Sequence, residues 1–171
     1  MTHPTLAPDV LTDGQASAQQ FRDAFSHLPS GVSILTTYGP DGPCGMTASA
    51  VCSLSLQPPL ALAAVANTSQ TLACIRAHGA FGINVLNAHQ QPLAERFARP
   101  ARTPSDRFTG VPHDKIASVP VLTEALAWLA CEVKDTYPGG DHTILTGLVR
   151  ATGHHAGTPL IWHNRGFTTP A

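Results

Sequence analysis

The sequence predicts a mainly β domain, a barrel of short strands with peripheral helices. Six or seven runs rich in β-branched and apolar residues are separated by clusters of Gly, Pro, Asp and Asn. Only three short stretches have helical spacing, and they do not alternate regularly with the strands, which argues against a parallel α/β sheet. The third observation is a period of two. From Met46 to Leu56 the even positions are Met46, Ala48, Ala50, Cys52, Leu54 and Leu56, while the odd ones are Thr47, Ser49, Val51, Ser53 and Ser55. Successive side chains on a strand point to opposite faces, so this segment reads as one strand with an apolar back and a front of hydroxyls. Short hydroxyls let a large group approach the backbone, and a flat polyol or a phosphate suits such a face; wetting by solvent is the plain alternative.

Residues 1–15 carry Pro4, Pro8, Asp13 and Gly14 without apolar periodicity and read as a flexible N-terminal arm, leaving 16–171 as one domain. Ser17-Ala18-Gln19-Gln20 is a capping-box pattern, followed by Phe21, Ala24, Phe25 and Leu28 on one helical face and by Pro29 as a stop. Val32 to Tyr38 is a β-branched run, and Gly39 to Pro43 is turn chemistry that forms a hairpin into the hydroxyl strand. Pro58-Pro59 ends that strand, and Leu60 to Val65, apolar at every position, predicts a strand buried on both faces. Ser69 is placed to cap a helix over Leu72 to Ala77 that stops at Gly79, leaving amides free above it. Phe81 to Leu86 is a strand, and Asn87 to Gln90 opens another helix that stops before Pro100. Between Pro100 and Pro120 periodicity is lost, which reads as a long loop of the kind more often functional than idle. Leu126 to Thr136, Ile144 to Ala151 and Leu160 to Trp162 complete the strands, with a turn at Pro138 to Asp141.

A net charge of -1 and a pI near 6.7, with no cluster of Lys or Arg, exclude an electrostatic nucleic-acid surface. Only 12% of residues are charged, so part of the surface is expected to be covered by a partner. The longest apolar run, Leu60 to Ala66, is too short to span a bilayer, and the start of the chain has no signal-peptide pattern. A soluble, cytoplasmic protein is expected. The four cysteines lack zinc-site spacing and read as free buried thiols, with Cys52 packing on the apolar side. The histidines show no ligand spacing, so no metal site is expected. Neither Gly-x-Gly-x-x-Gly nor a P-loop occurs.

Taken together, Phe21-Arg22-Asp23-Ala24, Pro29-Ser30-Gly31-Val32, Gly45 to Val51 with Ser53 to Pro59, and Asn67-Thr68-Ser69 make the chain resemble the short-chain flavin reductases. Phe81 to Leu86, Arg107-Phe108, Gly140-Asp141-His142 and Pro159 to Trp162 extend the likeness from Phe21 to Phe167. The resemblance implies an FMN-binding split β-barrel, a Greek-key-like antiparallel barrel, paired as a homodimer. It implies that Thr47, Ala48, Ser49, Ala50, Val51 and Ser53 line the flavin, and that Asn67, Ser69 and Thr71 hold its ribityl-phosphate arm. Arg107 and Arg165 are the charged groups it offers the site, and His142 is placed against the nicotinamide.

The implied activity is NAD(P)H:flavin oxidoreductase, with FMN or FAD reduced by NADH or NADPH and supplied to a partner monooxygenase. A flavin-binding or electron-carrier protein of the same fold, without reductase turnover, is the rival reading. An oxidase of the pyridoxine-phosphate type would need a basic cluster that is not found. Ser69 and its neighbours, read alone, are also ordinary helix caps, and His142 read alone is a hairpin histidine bonded to Asp141.

Overall fold

The structure, a computed structural model, describes residues 15–101 and 103–170. The expected N-terminal arm thus lies outside the described residues except for Gln15, which is exposed. The first helix, α1 (Ala18–Ser26), starts from the expected capping box: Gln20 N donates to Ser17 Oγ at 3.1 Å and Ser17 N donates to Gln20 Oε1 at 2.8 Å. Phe21 and Phe25 lie 4.5 Å apart on its apolar stripe, yet both are more than half exposed, as is Leu28. What holds α1 to the domain is polar. Arg165 is ion-paired with Asp23, and Asn164 N donates to the Ser26 carbonyl at 2.7 Å.

The strands follow as β1 (Ser30–Gly31), β2 (Ser33–Gly39) and β3 (Gly42–Ala48), the last two joined by a turn at Pro40-Asp41. Next are β4 (Val51–Leu56), β5 (Pro59–Ala66), α2 (Gln70–His78) and β6 (Ala80–Val85). Gly79 ends α2 at φ 78, the left-handed conformation that a glycine adopts without strain. The second capping box, Asn87 with Gln90, opens a 3-10 turn leading into α3 (Gln91–Ala98). The chain closes with β7 (His113–Ile116), β8 (Val119–Leu122), β9 (Ala127–Gly139), β10 (His142–His154), β11 (Ile161–His163) and β12 (Gly166–Thr168).

Seven strands form one antiparallel sheet in the order β3-β2-β6-β9-β10-β5-β4, beside a three-stranded sheet β1-β11-β12 and the β7-β8 hairpin. The two edge strands of the large sheet, β3 and β4, are consecutive in the chain and separated only by Ser49-Ala50. Three peptide steps cannot span more than about 11 Å, so the two edges must be brought together and the sheet must curl. Inside the curl pack Leu35, Val65, Ile75, Phe81 and Leu145. A second core, with Ile34, Leu86, Phe97, Phe108 and Leu160, joins α3 to the outside of β2. Among the described residues no helix is long and apolar enough to cross a membrane.

Three details depart from the sequence expectation, each for a topological reason. The period-two segment from Met46 to Leu56 is two strands, because the chain passes from one sheet edge to the other at Ser49-Ala50. Its second half therefore does not bury its even positions: Cys52 and Leu54 are exposed and Leu56 is 89% exposed. Cys52 is thus a surface thiol, while Cys44, Cys74 and Cys131 are buried. In β5, Ala61, Ala63 and Val65 are buried but Leu60, Leu62 and Ala64 are only partly buried, so among the described residues one face of this strand is incompletely covered. The stretch from 100 to 120 is not a bare loop. It holds a 3-10 helix, Pro104–Phe108, and the β7-β8 hairpin, whose turn residues Ala117 and Ser118 take φ of 42 and 68 without the glycine that would have announced it.

Candidate functional site

The hand-over from β3 to β4 builds the floor of the principal groove. Thr47, Ala48 and Ser49 leave the sheet beside the last turn of α3, and Ala98 and Pro100 form the facing wall. Two adjoining clefts of about 470 and 340 Å3 share Thr47, Ala98 and Pro100 and so make one continuous trough. One end is apolar and aromatic, with Val32, Trp162 and Phe167, the two rings edge to face at 4.9 Å. The other end is polar, with Ser69, Gln70 and Arg107.

Local hydrogen bonds fix each wall. Thr47 Oγ1 donates to the Ala94 carbonyl at 2.6 Å, fastening β3 to α3. Gly45 lets Phe97 approach, since a Cβ there would stand 2.9 Å from its ring. The Arg107 guanidinium donates to the Gly45 carbonyl at 3.0 Å and to the Arg99 carbonyl at 2.7 and 3.0 Å, so it both ties the 3-10 segment to β3 and leaves a fixed positive charge at the polar end.

Ser69 stands at the expected cap position of α2, but its side chain makes no cap bond and points to Met46 Sδ, 3.1 Å away. The first amides of α2 are therefore left without a side-chain cap, with the positive end of the helix dipole behind them. Thr71 Oγ1, buried in the same first turn, has no hydrogen-bond partner among the described residues. A trough with an apolar end and, at the other, uncapped amides and an arginine fits a planar ring with an anionic tail.

Asn67 sits just before this turn and is committed to the β9-β10 hairpin. Its backbone N donates to the Asp141 carbonyl at 2.9 Å, its Nδ2 donates to the Gly140 carbonyl at 3.2 Å, and its Oδ1 accepts from Thr143 Oγ1 at 2.7 Å. His142, which opens β10, is held in register opposite Ala66 at the end of β5. Its Nδ1 lies 2.7 Å from Asp141 Oδ1, and that hydrogen bond holds the Asp141 carboxyl below its ordinary range. The bond fixes the ring through Nδ1 and leaves Nε2 as the free edge.

Of the residues singled out in the sequence, Thr47, Ala48, Ser49, Ser69 and Arg107 line the trough. Asn67 and Thr71 stand on either side of the lining residues Thr68 to Gln70, His142 lies in the strand register opposite Ala66, and Ala50, Val51 and Ser53 run on past the trough into β4. Val51 packs against the barrel core, whereas Ala50 and Ser53 are exposed. Arg165 lines none of this: it lies in the β11-β12 turn at φ 61, and its guanidinium is taken by Asp23 of α1. Missed in the sequence were Glu95, Ala98 and Arg99 of the α3 end, together with Phe167. The stop signal at Pro100 placed the end of this helix but not what it faces. Trp162 had appeared only as part of a motif.

The sequence matches the profile described as flavin reductase like domain over residues 25–171. It is 35% identical over 170 residues to the flavin reductase (NADH) of Kitasatospora aureofaciens, covering 96% of this chain and 87% of that one. It is 36% identical over 158 residues to the NADH-dependent flavin reductase of a Rhodococcus species, covering 91% and 88%. The fold is similar to that of the NADH:FAD oxidoreductase SgcE6 of Streptomyces globisporus C-1027, solved in complex with NAD and FAD fragments, with a TM-score of 0.83, 32% identity and coverage of 90% and 92%. It is also similar to BorF, the flavin reductase component of a bacterial two-component tryptophan halogenase, with a TM-score of 0.81, 31% identity and coverage of 90% and 98%. With a curled antiparallel sheet and these matches along nearly its whole length, the chain belongs to the flavin reductase like family.

Proposed function

We propose that this protein is an NAD(P)H:flavin oxidoreductase that reduces FMN or FAD and releases the reduced flavin to the oxygenase of a two-component system in the cytoplasm. The observation that carries this reading is the single trough joining an aromatic slot to uncapped α2 amides. The bound pair supplies the redox chemistry, a hydride passing from nicotinamide C4 to flavin N5. The chain's own groups position and shield. Small side chains at Ala48, Ser49 and Ala98 leave room for stacked rings, and Trp162 with Phe167 keeps that end dry. The α2 amides and the Arg107 charge receive the phosphate, and no protein nucleophile is needed. Oxidation of NADH followed with and without added free flavin tests the reading: turnover that needs flavin at substrate concentration supports it. Flavin binding without turnover would leave a carrier.

In the same assay His142→Ala should lower kcat/KM for NADH by about ten- to a hundredfold, the loss of the hydrogen bond from Nε2, with flavin affinity nearly unchanged. Unchanged NADH kinetics would remove His142 from the nicotinamide half, and equal loss of flavin binding would move it to the other half. A homodimer is part of this proposal. Phe21, Phe25 and Leu28 of α1 and the half-exposed outer face of β4-β5 are apolar surface of the kind an isologous contact covers. Sedimentation at micromolar concentration should give a dimer, and a monomer would count against it.

A further inference from the structure

Cys44 in β3 and Cys74 in α2 stand 30 residues apart in the chain, with their sulfurs 2.9 Å from one another. Both are buried, and both border a cleft of about 310 Å3 that opens between the Pro40-Asp41 turn and α2. Gly39 makes the room. A Cβ there would lie 2.6 Å from the Cys44 sulfur and 2.9 Å from that of Cys74. A disulfide bond is about 2.05 Å long, so the sulfurs need to close by under about 1 Å, and neither thiol is used by the trough.

We infer that Cys44 and Cys74 form a peroxide-reactive dithiol site that oxidises to an intramolecular disulfide fastening β3 to α2. The supply of oxidant rests on the reductase reading, since dioxygen takes two electrons from escaping reduced flavin and becomes hydrogen peroxide. Cys74, at 8% exposure against 3% for Cys44, is the more accessible of the pair and is the one that peroxide entering from the cleft meets first. The Cys74 sulfur bonds to one peroxide oxygen as the O–O bond breaks, and the hydroxide released takes the Cys74 proton and leaves as water. The Cys44 sulfur then attacks the Cys74 sulfenic acid. The S–S bond forms, the S–O bond breaks, and the departing hydroxide leaves as a second water with the Cys44 proton. Two thiols are oxidised and one peroxide is reduced. Cys131, buried without a thiol neighbour, and Cys52, exposed on β4, have no partner for this reaction and serve as internal controls.

The test treats the whole protein with hydrogen peroxide in the absence of NADH and flavin, then denatures it, alkylates free thiols and maps the peptides by mass. The expected result is a cross-link between the Cys44 and Cys74 peptides, lighter by two hydrogen atoms, reversed by dithiothreitol and absent in Cys44→Ser and Cys74→Ser. Closing this loop should raise the Tm of the oxidised protein by roughly 5 °C. Full alkylation of both cysteines after peroxide, or oxidation of Cys74 that stops at the sulfinic acid with no cross-link, overturns the inference. Because this arm needs no turnover, its result is independent of whether the same preparation oxidises NADH.

Discussion

Replacing Ala98 with Trp is expected to lower kcat/KM for flavin reduction by at least about 100-fold while leaving the fold intact. Ala98 is exposed at the end of α3 and borders both clefts, so an indole there projects into the trough at its middle. Nothing in the core is displaced, because the methyl it replaces faces the trough. The loss is larger than that from removing any one polar contact, since it obstructs ring stacking rather than weakening one bond. Flavin binding followed by fluorescence quenching, together with thermal unfolding, checks it. Undiminished flavin affinity in a folded Ala98→Trp protein would show that the ring binds elsewhere.

Asn84→Ala should cost about 3 to 5 kcal/mol of stability, a large part of the 5 to 15 kcal/mol typical of a domain. Asn84 is fully buried in β6, where Nδ2 donates to the Ile34 carbonyl and to Thr36 Oγ1, each at 3.1 Å, and Oδ1 accepts from Leu122 N at 2.8 Å. Thr36 Oγ1 in turn donates a hydrogen bond to the Pro120 carbonyl. One amide therefore joins β2, β6 and β8, and its removal leaves the Leu122 N–H buried without an acceptor, beside a cavity. Urea unfolding should show the loss as a lower midpoint, with Tm falling by roughly 10 °C. A change below about 1 kcal/mol would mean that water or a shift of β8 replaces the amide.

Much of the architecture was legible because its signals are local. Both capping boxes, the Gly79 stop and the Pro40-Asp41 turn are decided by a few adjacent residues, and each appears where those residues put it. The hydroxyl face was legible as far as Ser49. Beyond it the alternation continued while the strand did not, because a period of two reports a pleat and says nothing about which sheet edge the chain joins. The apolar back of β4 and the outer face of β5 misled for a related reason: an apolar side chain predicts burial, and among the described residues these keep part or most of their surface exposed. The wall contributed by α3 was illegible, since Ala98 and Pro100 are ordinary helix-end residues whose role comes from packing across to β3. The pairing of Arg165 was equally hidden, since its guanidinium meets an acidic side chain 142 positions away.

The two-residue passage at Ser49-Ala50 has a further consequence for solubility. It links the two edge strands of the large sheet directly, and its first residue, Ser49, lines the trough. A proteolytic nick there would leave every strand present but let the curl relax, with β3 at one end and β4 at the other offering unpaired N–H and C=O groups to neighbouring molecules. Leu54 and Leu56 lie on the strand so released, which makes such a cut an invitation to edge-to-edge assembly. A ligand lying across that passage would be a seal against aggregation as much as a reactant.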